Sequence, residues 1–118
     1  MALSWVFEDR EDYLVVRLEG EWILPSLFQM LDETAERCRE LGHLRVLCDF
    51  RNVHGTLAEM TKYLIGARVA EVLKTIKVAS LVAPDAHVTG FAPEVAARRG
   101  GRLFTTKSLE DARQWLFE

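Results

Sequence analysis

The sequence predicts an α/β domain: a mixed β-sheet of about five strands with about four helices, in the order β-β-α-β-α-β-α-β-α. Three observations carry this prediction. Two alternating segments open the chain, stretches with apolar residues at spacings of three and four separate short apolar runs, and Gly, Pro or cap-forming residues stand at most junctions. With 118 residues, 49% hydrophobic and 28% charged, the chain can bury about two-thirds of its unfolded surface, which suits one domain spanning 1–118.

Leu3 to Glu8 and Tyr13 to Glu19 read as strands, with Leu14, Val16 and Leu18 alternating against Val15, Arg17 and Glu19. Arg10-Glu11-Asp12 reads as the hairpin turn between them, and Gly20 as the end of the second strand. Ser26 with Gln29 forms a capping box just after Pro25, and Leu27, Phe28, Leu31, Ala35, Cys38 and Leu41 then trace a helix closed by Gly42.

Leu44 to Phe50 is a short apolar run between two helices and predicts a buried strand beside a parallel neighbour. Thr56 with Glu59 gives a second capping box, opening a helix to about Leu73 with Met60, Leu64, Ala67 and Ala70 on one face. Ile65, Val69, Val72 and Ile76 widen its apolar surface, which suits either a helix wedged between sheet and neighbour or a face for a partner.

Val78 to Val82 predicts the fourth strand. Val88, Phe91, Val95 and Ala96 permit a short or bent helix interrupted by Gly90 and Pro93. After Gly100-Gly101, Arg102 to Thr105 gives a brief strand, and Ser108 with Asp111 caps a last helix expected to turn Leu109, Ala112, Trp115 and Leu116 inward.

Composition excludes several function classes. No apolar run approaches the roughly 18 residues needed to cross a bilayer, and the opening residues lack the basic region of a secretory signal. A net charge of −3 argues against a general binder of nucleic-acid phosphates. Cys38 and Cys48 stand outside any CxxC spacing, which predicts buried reduced thiols and, with no export signal, a cytoplasmic setting. Phosphate-cradling GxGxxG and GxxxxGK[ST] patterns are absent, and no cofactor is predicted.

Together, the N-terminal strand pair, the Leu-Cys-Asp-Phe-Arg-Asn-Val run at 47 to 53, the long second helix, the Val-Ala-Ser-Leu-Val strand and the Leu-Glu-Asp-Ala-Arg-Gln-Trp-Leu ending at 109 to 116 resemble the SpoIIAA-like proteins of the STAS superfamily. The resemblance covers nearly the whole chain and implies fold more strongly than activity. It also implies a regulatory module that binds a protein partner, switched in some members by phosphorylating a Ser or Thr at the start of the second helix. Those members carry an Asp-Ser-Ser/Thr-Gly-Leu-like turn, whereas this chain reads Val53-His54-Gly55-Thr56-Leu57. Thr56 is the one hydroxyl in the right neighbourhood, either a phosphosite or a plain helix cap.

In open α/β sheets ligands gather at the carboxyl ends of the strands, so the loops after strands three and four are the expected site. They hold Asp49, Arg51, Asn52 and His54, then Asp85 and His87, which would converge if the two strands are neighbours. No spacing among them matches a metal or catalytic motif, so neither a metal nor an enzymatic activity is predicted. Arg98, Arg99, Arg102 and Lys107 form a basic cluster expected to be a solvated surface. Trp22, Ile23 and Leu24 form either a hydrophobic staple or the rim of an apolar groove.

The expected function is therefore a non-enzymatic protein-interaction module. Its partner, another protein or a second copy in a homodimer, would dock on a face including Trp22, Ile65, Val69 and Val72. The alternative is a carrier or sensor of an apolar small molecule or lipid.

Overall fold

The computed structural model describes residues 2–118. Its elements follow the expected order: β1 (Ser4–Asp9), β2 (Leu14–Glu21), α1 (Leu24–Leu41), β3 (Arg45–His54), α2 (Glu59–Val72), β4 (Lys77–Leu81), α3 (Phe91–Arg98), β5 (Arg102–Thr106) and α4 (Leu109–Leu116). The five strands lie side by side in sequence order, with β1–β2 antiparallel and β2 through β5 parallel.

Because right-handed crossovers that all advance in one direction keep their helices on one side, α1, α2 and α3 share one face of the sheet. Leu14, Val16 and Leu18 of β2, Val46 and Cys48 of β3, and Val78 of β4 meet Leu27, Met30 and Leu31 of α1 and Val69 of α2 in the main core. Among the described residues the opposite face carries α4 alone, whose Ala112 and Leu116 pack on Tyr13, Val15, Leu47, Ala79 and Leu81.

Several boundaries correct the sequence reading. α1 starts at Leu24 with Ile23 as its cap and Pro25 in the first turn, so Ser26 and Gln29 lie inside the helix and form no capping box. Proline suits that turn, where its missing N–H has no partner to lose. Gly20 does not end β2, which continues to Glu21 and pairs with β3 as far as His54. A bulge shifts the β2–β3 register between Arg17 and Glu19, which lets β3 run past Phe50.

α2 starts at Glu59 with Ala58 at its cap and no side-chain cap bond, so Thr56 stands in the preceding loop and does not cap the helix. Pro93 likewise sits in the first turn of α3 instead of breaking it, because the helix starts at Phe91 after Gly90, which takes φ 74° at the cap. Two caps stand where the sequence puts them: Gly42 closes α1 in the left-handed region, and the Ser108 side chain accepts the Asp111 N–H at the start of α4. Leu109, read as inward, is exposed at the first turn of α4.

Two cations on neighbouring strands hold the end of α4. Arg45 and Lys77 pair across β3 and β4. Arg45 Nε donates to the Leu116 carbonyl at 2.9 Å and Lys77 Nζ to the Trp115 carbonyl at 2.5 Å. Their charges also lie over the Phe117 and Trp115 rings. The last carbonyls of a helix lack partners within it and carry its negative dipole end, so both contacts are charge-assisted.

Candidate functional site

A cleft of about 730 Å³ opens between the sheet and the α1–α2–α3 layer at the carboxyl ends of β3 and β4. Cys48, Phe50 and Val53 of β3, Val78 and Ser80 of β4 with Val82 just beyond it, and Leu103 and Thr105 of β5 supply its floor. Leu27 and Leu31 wall it from α1, and Ile65 and Val69 from α2. The rim comes from the 54–59 loop and the 83–93 segment. A mostly apolar cavity of this size with a few polar groups is the form small-molecule sites take.

The first turns of α2 are less buried than its carboxyl half. Met60 is 68% exposed and Tyr63 and Leu64 are each 36% exposed, whereas Gly66, Val69 and Ala70 are buried. Gly66 brings α2 against α3 so closely that an added Cβ would lie 2.5 Å from the Ala92 carbonyl oxygen. The middle of α2 is thereby held against α3, while Glu59, Lys62 and Ile65 line the cavity.

The loops after β3 and β4 do converge, but not with every residue expected. His54, Asp85 and His87 are exposed on the cleft rim, with Thr56 beside them. Asn52 is exposed and does not line the cleft. Asp49 does not line it either. Strand alternation turns its carboxylate toward the opposite face, where it receives Arg51 Nε at 3.0 Å, Arg51 Nη2 at 2.8 Å, the Arg51 backbone N–H at 3.1 Å and Arg17 Nη1 at 3.2 Å.

Burial would raise the Asp49 carboxyl, but the Arg51 side-chain and backbone hydrogen bonds and the two guanidinium charges outweigh it and hold it below its ordinary value. Arg17 also pairs with Glu8 on β1, so a row of alternating charge crosses three strands. Arg51 borders the cleft, yet its guanidinium is committed to Asp49.

The face proposed around Trp22, Ile65, Val69 and Val72 is not an outer surface. Val69 is only 2% exposed and belongs to the core, while Ile65, Val72 and Trp22 are partly buried against it. The reason is helical phase: the side of α2 that carries Val69 meets the sheet, and Met60, Tyr63 and Leu64 occupy the outer side. Trp22 packs on Phe50 with ring centroids 4.9 Å apart and forms a wall of the cleft.

Sequence reasoning missed the contributions of α1 and β5, and also Lys62. The Lys62 ammonium reaches Glu59 at 3.3 Å and the Thr89 hydroxyl at 3.4 Å, joining α2 to the loop before α3 across the rim. Ser80 and Thr105 place two hydroxyls on the otherwise apolar floor, and they were legible only as alternating positions on strands. Burial, with the charges of Cys38 and Asp49 adding, pushes the Cys48 thiol up to about 12, and burial pushes Cys38 up to about 11. Both are free thiols. Among the described residues no group of three or more His, Cys, Asp or Glu side chains is placed to hold a metal ion, and no helix is long and apolar enough to cross a membrane.

No family model matches the chain, and no curated protein matches it. Solved structures do. An anti-sigma factor antagonist from Mycobacterium paratuberculosis superposes with a TM-score of 0.62 at 15% identity, covering 99% of this chain and 96% of that one. An uncharacterised Shewanella loihica protein with a SpoIIAA-like fold gives 0.54 at 20% identity, over 97% and 93%. The anti-sigma factor antagonist SpoIIAA in its unphosphorylated form gives 0.52 at 14% identity, over 97% and 98%. Strand order, helix placement and these whole-length superpositions agree, and the chain has a SpoIIAA-like fold.

Proposed function

We propose that this chain is a non-enzymatic regulatory module that binds a protein partner over the rim of the cleft and the outer side of α2. The observation that carries this reading is the exposure of the apolar Met60, Tyr63 and Leu64 on the outer side of α2, together with Val88, 40% exposed, on the cleft rim. Apolar side chains collected in this way on a water-facing helix are what a partner covers. The likeness in fold to anti-sigma factor antagonists supports a protein partner in preference to a substrate. Thr56, exposed on the same rim, is the position at which a phosphate would place negative charge inside such an interface.

The test is site-specific photo-crosslinking in the host from position 60, with position 36 on the exposed side of α1 as control. A discrete adduct from position 60, absent from position 36 and abolished by Leu64→Glu, is expected. No position-dependent adduct overturns the reading.

A second reading rests on the cavity itself: its apolar floor suits an apolar small molecule or lipid, with Ser80, Thr105, His54 and His87 as polar handles. Native mass spectrometry of gently purified protein tests it. A mass lost on denaturation is expected, together with a higher Tm when the extracted compound is restored, since a ligand that binds only the folded state stabilises that state. Protein free of any such mass, with a Tm unmoved by the apolar compounds of its host, overturns it.

A further inference from the structure

We propose that the free edge of β1 is a homodimer interface, at which two copies join antiparallel across a two-fold axis through Val6. The resulting continuous sheet would contain ten strands, twice the five of one copy. This surface lies at the far edge of the sheet from β5 and does not involve the cleft, so it stands or falls separately from both readings above.

β1 ends the sheet and, among the described residues, pairs only with β2. The Arg10 N–H donates to the Tyr13 carbonyl at 3.0 Å, which closes the hairpin with Arg10 opposite Tyr13. Antiparallel ladders alternate, so Arg10, Glu8, Val6 and Ser4 turn their backbone groups toward β2, and Trp5 and Phe7 turn theirs outward. Those outward N–H and C=O groups are a template for another strand, and edges are normally blunted by charge, proline or a covering element. At the other edge of the sheet α3 and α4 both pack against β5. The middle of β1 is Trp5-Val6-Phe7, with no charge, no proline and Val6 60% exposed.

The helix above β1 selects the partner. Trp5 Nε1 donates to Glu33 of α1 at 3.3 Å, and the Arg37 guanidinium lies 5.0 Å from the centroid of the Phe7 ring. A negative side chain therefore stands over Trp5 and a positive one over Phe7. Three registers oppose Trp5, Val6 or Phe7 to its own copy and keep both α1 helices on the same face. Centring on Trp5 sets Glu33 against its own copy, and centring on Phe7 does the same for Arg37.

Centring on Val6 sets Trp5 opposite the second copy's Phe7, so each Glu33 lies beside the other copy's Arg37, twice over. In that register Trp5 and Phe7 exchange backbone hydrogen bonds across the axis. The two Val6 side chains then meet as a non-hydrogen-bonded pair, the closer kind, at about 4.5 Å between Cα atoms. Charge, backbone direction and the exposed valine all favour one arrangement, and its occupant is a second copy of this chain.

Sedimentation equilibrium on the full chain tests this. Wild type is expected to be dimeric at concentrations of about 100 µM. Val6→Lys, which opposes two ammonium groups at the axis, is expected to be monomeric. Glu33→Arg and Arg37→Glu should each weaken the dimer at least about tenfold, since each replaces two attractions with two repulsions. An equimolar mixture of those two variants should associate again, because each reversed side chain then meets an opposite charge. The mixture separates a specific interface from misfolding. A monomeric wild type, a dimer indifferent to these substitutions, or a mixture that fails to associate overturns the proposal.

Discussion

Gly20→Ala should destabilise the fold by about 4 kcal/mol, and the reason lies in the chain's first residues. Gly20 has φ 121°, a region that side chains other than glycine occupy at a cost of about 1–3 kcal/mol. A Cβ there would also lie 2.1 Å from the Ala2 carbonyl oxygen, 2.9 Å from the Ala2 carbonyl carbon and 3.0 Å from Leu3 Cα. Those atoms are backbone and cannot rotate aside, so residues 2 and 3 must lift by about 1 Å to restore van der Waals contact. Leu3 is only 5% exposed and belongs to the main core, and withdrawing it forfeits about 1.5–3 kcal/mol of burial. For a chain of 118 residues, about 1 kcal/mol moves Tm by about 4 °C, so a fall of about 15 °C is expected.

Gly90→Ala is the control, because Gly90 also has a positive φ, 74°, but nothing stands within 4 Å of an added Cβ. It should cost only about 1 kcal/mol. Urea unfolding of both variants gives the comparison. Deleting residues 1–3 closes the cycle: in that background Gly20→Ala should retain only its backbone cost, leaving a coupling of about 2 kcal/mol. If Gly20→Ala and Gly90→Ala agree within about 0.5 kcal/mol, the N-terminal segment does not press on β2 as described and the reasoning fails.

Three further outcomes follow from the same geometry. Asp49 is held below its ordinary value in the folded state, so its contribution to stability is present above its unfolded pKa and disappears as pH falls through the folded one; Asp49→Asn should lower urea stability at neutral pH and flatten the acid limb of the stability profile. An unchanged acid limb would mean that the carboxylate gains nothing from Arg17 and Arg51. Arg45→Ala and Lys77→Ala should each cost about 1–2 kcal/mol and accelerate hydrogen exchange in α4 more than in α1, since each removes a charge-assisted bond to the end of α4. Cys48, at about 12 against an ordinary 9.0, holds about a thousandfold less thiolate at pH 8 than a free thiol, so a thiol reagent should modify it at least that much more slowly until the fold opens. Rapid labelling of native protein would show that the cleft floor is open to solvent.

Periodicity and punctuation made the element order legible, because each strand and helix carries its own apolar pattern and most junctions carry Gly, Pro or a cap. The errors fall where two local signals compete. At Pro25 and Pro93 a proline reads as a boundary or a break, yet both occupy the first turn of a helix. At Thr56 a capping-box pattern is present, but the helix starts three residues later at Glu59. The site was half legible. His54, Asp85 and His87 reach the cleft because β3 and β4 run parallel, so the segments that follow them leave the sheet at the same end. Asp49 does not, because one residue along a strand reverses the face, a step that loop-level reasoning ignores. Leu27 and Leu31, or Leu103 and Thr105, announce no site in sequence, since their role depends on which elements pack across the sheet.

Strands in sequence order give this sheet no point at which the crossovers reverse direction, the usual origin of a crevice in open α/β sheets. Its cleft has another source. Gly66 lets the middle of α2 approach α3 closely, and the first turns of α2 wall the cleft through Glu59, Lys62 and Ile65. The cleft is therefore bounded by the helix layer as well as by the strands. At the other side, α4 packs on β3, β4 and β5, and the outer face of β1 stays uncovered at Val6. The cleft and the bare strand are two consequences of one arrangement, three helices on one face and a single short helix on the other. α1 is the element common to both: Leu27 and Leu31 wall the cleft, while Glu33 and Arg37, further along the same helix, stand over β1.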